Sequence, residues 1–129
     1  MTLADLATGY VGLSRQIQRE KSPVHGRVLA LTIDRSHLDQ NGTAAHGVLT
    51  MFADDVLGRA VGQATRPRHS TTVTLACEFL QPVHAGEHII GVAQVTRVTR
   101  SLVFVSGVLR VGVRDVLAAH GVWKLLDAA

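Results

Sequence analysis

Only one cysteine, Cys77, stands among 129 residues, so no internal disulfide can form and a reducing compartment is expected. Its local sequence carries no mark of a nucleophile, and it reads as a small buried hydrophobe. Aromatic residues are equally scarce, at three Phe, one Trp and one Tyr. Lys and Arg never gather into a run. With so few rings to stack on bases, a net charge of +3 argues against a nucleic-acid partner and for a small anionic ligand. No apolar run is long enough to cross a membrane and no signal peptide is visible, so the cytoplasm is the expected location. His84 and His88 lie four apart without a carboxylate-rich cluster, which gives no reason to expect a metal, and nothing calls for a cofactor. Charged residues make up 18% against 47% hydrophobic, and that balance excludes a disordered chain. The length suits one domain with a real core.

The stretch from Gly42 to Ala64, GTAAHGVLTMFADDVLGRAVGQA, organises the rest. A Gly-Thr turn and a His-Gly pair lead into Leu49, Phe52, Ala53, Val56, Leu57, Ala60 and Ala64, which recur at three- and four-residue steps. This spacing predicts a long, largely buried helix over residues 46–65. Two carboxylates, Asp54 and Asp55, fall in its middle, and at about 100° per residue they cannot share an environment. Asp55, Arg59 and Gln63 form a polar stripe, with Asp55 and Arg59 placed to pair across one turn. Asp54 lies on another stripe with Gly47 and Gly58, where small residues would let a chain or a substrate approach closely. Asp55 therefore reads as surface and Asp54 as the unusual carboxylate.

Upstream, Thr2 to Asp5 resembles a capping box, and Leu3, Leu6, Tyr10, Leu13 and Ile17 form one apolar stripe, predicting an N-terminal helix over residues 1–22 that ends before Pro23. Residues 27–33 are compatible with a strand, residues 34–44 form a polar loop, and residues 65–70 form a basic turn. Four further strands are expected over 71–81, 88–98, 101–111 and 116–126, with Gly112 to Asp115 as a hairpin turn. Their short connections predict antiparallel neighbours in a four-strand meander. The fold class is α+β, an antiparallel sheet of about five strands wrapped around one hydrophobic helix. Such a sheet leaves an open edge and an uncovered face, so a homodimer or a dimer of dimers (a homotetramer) is expected.

These residues resemble a known family, the hotdog-fold acyl-CoA thioesterases, in the branch of the phenylacetate-pathway and hydroxybenzoyl-CoA enzymes. That branch shows N-x-x-G-T/V-x-H-G-G, six residues, an Asp or Glu, and a helix closing in L-G-x-A. Aligned without gaps, the chain reads Asp39-Gln-Asn-Gly42-Thr43-Ala44-Ala45-His46-Gly47, then Asp54, then Leu57-Gly58-Arg59-Ala60. Further matches are Thr72 to Leu75, Phe79-Leu80 with Pro82, Gly86, and Thr99-Arg100-Ser101, so the resemblance spans roughly residues 28–126. The family His position holds Ala45, the first Gly position holds His46, and the upstream amide position holds Asp39 with Asn41 two residues on. A second register keeps His46 as the family His and makes Asp55 the acid. The Gly42-Thr43 and Leu57-Gly58 anchors favour the ungapped register.

The resemblance implies hydrolysis of an acyl-CoA thioester, aryl or medium-chain. Asp54 would be nucleophile or general base and Thr72 an orienting hydroxyl. Backbone N–H groups at His46 and Gly47 would stabilise the oxyanion. Asp54 and Thr72 would come from one subunit, and the helix-start N–H groups and the Asp39 position from the other. His46 would act through its amide rather than its ring. Arg97 and Arg100, with Arg66 and Arg68, are candidates for the coenzyme A phosphates, and Asn41 and Gly58 complete the substrate-binding set. A non-catalytic acyl-CoA or small-ligand binding protein of the same fold is the alternative. A hydratase is disfavoured, because Arg59 stands where a His five residues after the Asp would be needed.

Overall fold

The computed structural model describes residues 10–127. The elements run α1 (Tyr10–Arg15), β1 (Gln18–Ser22), β2 (Gly26–Thr32), a 3-10 turn (Arg35–His37), α2 (His46–Thr65), β3 (Ser70–Phe79), β4 (His88–Val98), β5 (Leu102–Val111) and β6 (Arg114–Leu125). Six strands form one antiparallel sheet in the order β1-β2-β4-β5-β6-β3, and α2 packs across one face of it. This is the expected α+β hotdog arrangement.

Helix α2 occupies the predicted residues. It ends where Arg66 turns extended, because the following Pro67 disfavours the helical region for its predecessor. The helix buries Val48, Leu49, Met51, Phe52, Ala53, Val56, Leu57 and Val61. Burying side chains of this size contributes about 1.5–3 kcal/mol for each of the larger ones. The buried stripe stops short of the expected one, since Ala60 is half-buried and Ala64 exposed. The sheet receives the helix through small residues. A Cβ on Gly91 of β4 would collide with the Val56 side chain, and one on Gly107 of β5 would lie 3.0 Å from the Leu57 side chain. Only glycine lets the helix settle this closely.

Three expectations are corrected. The N-terminal helix does not run to residue 22, because Gln18–Ser22 is a strand paired with β2. Turn chemistry decides this. The Ser22 hydroxyl accepts the N–H groups of Val24 and His25, and Gly26 takes a positive φ, so residues 22–26 close a hairpin. The charges that suggested a helix end are instead those of an exposed edge strand. The capping box at Thr2–Asp5 lies outside the described residues.

The sheet therefore has six strands rather than about five. The four-strand meander is reduced to three, β4-β5-β6, since β3 pairs with β6 at the far edge and not with β4. The segment between β3 and β4 is no hairpin. It crosses beneath the start of α2, with fully buried Val83 accepting the Ala44 N–H through its carbonyl and Gly86 donating to the Ile33 carbonyl.

Candidate active site at the central helix

Asp54 and Asp55 face different neighbours, as their angular separation requires. Asp54 is half-buried and turned toward β3, where the Thr72 hydroxyl donates to its Oδ1 at 3.1 Å. A β-bulge makes this contact possible. Thr72 pairs with Trp123 and Thr74 with Val122, so Val73 is an extra residue in β3. In an unbroken strand Thr72 and Thr74 would share a face. The bulge instead puts Thr72 on the helix-facing side with Trp123 and sends Thr74 to the other.

Asp55 is not the surface residue expected. It is half-buried and accepts the Ser14 hydroxyl of α1 at 2.9 Å, and its partner is thus Ser14 rather than Arg59. Burial raises its carboxyl above the ordinary value, the Ser14 hydrogen bond opposes that shift, and neighbouring Asp54 adds to it.

The start of α2 forms a second constellation. Its N-cap, Ala45, has no side-chain oxygen to offer, and among the described residues the His46 and Gly47 N–H groups have no acceptor. The helix dipole adds partial positive charge there. The His46 ring stacks on Phe79 with centroids 3.9 Å apart and planes 10° from parallel. A Cβ on Gly47 would meet nothing within 4 Å. Beside this helix end lies a groove of about 250 Å³ whose walls include Thr43, His46, Leu49, Phe79, Pro82 and Val83.

Asp39 serves its own loop. Its carboxylate accepts the Asn41 N–H at 2.9 Å, its N–H donates to the Thr43 carbonyl, and its carbonyl accepts the Gly42 N–H. Asn41 is exposed in the same turn. Gly58 does not open a gap for substrate, for the indole of Trp123 lies over it, 3.7 Å from where a Cβ would stand.

The arginines stand apart from these groups. A bulge at Thr96 pairs Arg97 with Phe104, on the sheet face away from α2. Arg100 sits in the β4–β5 turn, and its carbonyl accepts Arg68, which also pairs with Asp127 at 3.8 Å. Arg66 is the C-cap of α2.

One neighbour of the site escaped sequence reasoning. His37 is fully buried behind the helix start. Its Nδ1 accepts the Asp34 N–H, which places its proton on Nε2, donating to Gln16 Oε1 at 2.6 Å. Its carbonyl accepts the N–H of the N-cap Ala45, fixing the entry of α2. The Asp34-x-x-His37 spacing of a capping turn was the available signal. Cys77 is half-buried, as expected of a small hydrophobe; burial raises its thiol pKa, the nearby Thr50 side chain opposes this, and the Asp54 charge adds to it. The thiol stays protonated beside the carboxylate. Among the described residues no group of three His, Cys, Asp or Glu is placed to hold a metal, and no helix is long and apolar enough to cross a membrane.

Comparison with known proteins gives this geometry a family. The profile of the Thioesterase superfamily matches residues 41–118. A Pseudomonas aeruginosa protein provisionally named an esterase is 33% identical over 99 residues, covering 76% of this chain and 74% of its own. Among solved structures, the PaaI protein of the E. coli phenylacetic acid degradation operon superposes with a TM-score of 0.78 at 16% identity, over 98% of this chain and 91% of that one. The BH2602 protein of Bacillus halodurans, solved with CoA, gives 0.79 at 16% identity, over 88% and 76%. The matched span includes the helix-start groove, α2 with Asp54, and Thr72, and the chain belongs to the thioesterase superfamily.

Proposed function

We propose that the protein hydrolyses an acyl-CoA thioester, aryl or medium-chain, to the free acid and coenzyme A. The observation that carries this is the Thr72–Asp54 hydrogen bond, which fixes one oxygen of a half-buried carboxylate and leaves the other for chemistry. Asp54 either attacks the thioester carbonyl, giving a mixed anhydride that water then opens, or takes a proton from an attacking water. In both routes the carbonyl oxygen becomes an oxyanion and the carbon–sulfur bond breaks. The departing thiolate is protonated to coenzyme A. The unpaired N–H groups of His46 and Gly47 are suited to the oxyanion. The apolar groove beside them suits the acyl group. CoA in the related Bacillus structure supports the choice of thiol.

One chain cannot supply both halves. Asp54 is eight residues into α2, about 12 Å along the axis from its own first turn, so the N–H groups near its substrate belong to a second copy. The outer edge of β3 offers the surface for that copy, with Val73, Phe79 and Leu80 exposed along it. The working unit is a homodimer or a dimer of dimers, and the cytoplasm remains the expected location.

The alternative, a non-catalytic acyl-CoA binder, draws on one observation. The Asp39 carboxylate is spent on its own turn and is not directed to the helix start. Thiol release from a thioester panel separates the two. The expected result is turnover by the wild type, none measurable for Asp54→Asn, and most of the activity kept by Asp55→Asn. If Asp55→Asn were the inactive variant, the carboxylate assignment would be wrong by one residue.

A further inference from the structure

On the side of α2 turned away from Thr72, basic side chains converge on a cleft that takes no part in the bond-making and bond-breaking steps of the proposed reaction. Strand register places them. Leu29 pairs with Gly91, whose missing Cβ would meet Val56 of α2, so Leu29 faces the helix. Arg19 pairs with Leu29 and Lys21 with Arg27, so all three cations project from the β1–β2 hairpin on the helix side. Arg59 of α2 meets them there, and Arg27, Arg59 and Gln63 line a cleft of about 50 Å³. Like charge from Arg19, Arg27 and Arg66 reaches Arg59 and, together with its burial, which is the larger effect, lowers its affinity for its proton.

Among the described residues these cations lack counter-charge: Arg19, Lys21, Arg27, Arg59 and Arg66 have no carboxylate within 4.0 Å, whereas Arg68, Arg110 and Arg114 each have one. The two acids that sequence spacing would supply are engaged elsewhere. Glu20 is turned to His88 at 2.8 Å, and Asp55, one turn before Arg59, holds Ser14. Guanidinium groups left together without a carboxylate match the bidentate acceptor geometry of a tetrahedral oxyanion.

We infer that this cleft binds the phosphate group of a small phosphorylated ligand, held by Arg27 and Arg59 with Arg19 and Arg66 around them. The group is either a phosphate of coenzyme A itself or that of a separate metabolite. Asp54 and Arg59 are five residues apart, about 140° around the helix, so the site faces away from the carboxylate.

Calorimetric titration of the whole protein with inorganic phosphate, against chloride at equal ionic strength, tests this. The expected result is saturable binding of one phosphate per chain, weakened at least about tenfold in both Arg59→Gln and Arg27→Gln by loss of a bidentate contact. Without phosphate, Arg59→Gln should melt at or above the wild-type temperature, because it relieves repulsion; a side chain held for packing would give the opposite. Arg27 lies on an exposed hairpin, so its variant keeps the test open if Arg59→Gln fails to fold. Titration with adenosine 3′,5′-bisphosphate and with coenzyme A then identifies the source. Competition with phosphate assigns the site to coenzyme A, and independent binding assigns it to another ligand. A heat that never saturates, follows ionic strength alone and is equal in both variants would overturn the inference.

Discussion

Thr72→Val removes one hydroxyl from the candidate site and almost nothing else. Valine has the shape of threonine and an equal or better fit to a strand, so β3 and its bulge should persist. What disappears is the donor 3.1 Å from Asp54 Oδ1. A hydrogen bond to a charged group contributes about 1.5–3 kcal/mol, and at this length, with both groups partly reached by solvent, the low end applies. If the bond orients the reacting carboxylate, a loss near 1.4 kcal/mol lowers kcat about tenfold. If the hydroxyl serves only the carboxylate, KM should stay within about twofold. Thr72→Ser restores the donor and should recover most of the rate. The assay is thiol release from an acyl-CoA that the wild type turns over, with the melting temperature measured in parallel. A wild-type kcat for Thr72→Val, beside an inactive Asp54→Asn, would refute an orienting role. A loss that Thr72→Ser fails to recover would trace the effect to packing instead.

Other consequences follow from neighbouring residues. Because the Asp55 carboxyl is raised in the folded state, its ionisation costs stability at neutral pH; Asp55→Asn should raise the melting temperature there, and the gain should fade as pH falls through the carboxylate range, where both states hold the proton. Thermal scans from acid to neutral pH check this, and a gain independent of pH would contradict it. His46→Gly keeps the amide and loses the stack on Phe79, so activity should stay within about tenfold, whereas losing an acid–base imidazole would cost about 10²- to 10⁴-fold and remove a step from the pH–rate profile. Gly91→Val drives a side chain into Val56 and should destabilise by about 1–3 kcal/mol, read as a lower denaturant midpoint with unchanged slope.

What the sequence made legible follows from the range of the forces involved. The period of Leu49, Phe52, Val56 and Leu57 is local, and α2 lies where that period puts it. The turns at Thr99–Ser101 and Gly112–Val113 are equally local and join true neighbours, β4 to β5 and β5 to β6. Pairing across the sheet is not local. Gln18–Ser22 has helix-compatible composition and became a strand because β2 had an open edge and residues 22–26 could close a hairpin. The Pro82 connection looked short enough for a hairpin, but a buried Val83 drew it beneath α2 and left β3 to pair with β6. The Asp55–Arg59 spacing was real, and Ser14, forty-one residues away, outcompeted it.

The same distinction governs the candidate site. Helix geometry alone separates Asp54 from Asp55 by about 100° and sets each before a different neighbour. It cannot say which neighbours, because those depend on α1 and on a bulge at Val73 that no periodicity in Thr71-Thr72-Val73-Thr74 reveals. Once the bulge turns Thr72 inward, Asp54 acquires a hydroxyl and sits near a protonated thiol, while Asp55 closes a contact between two helices. Two adjacent carboxylates thereby take separate surroundings, Asp54 beside a strand hydroxyl and Asp55 in a contact between helices. The unpaired N–H groups remain two turns away on the same helix. On the proposed mechanism each chain would carry the carboxylate of one reaction centre and the oxyanion donors of another, and the exposed apolar edge of β3 is where two such chains would complete both.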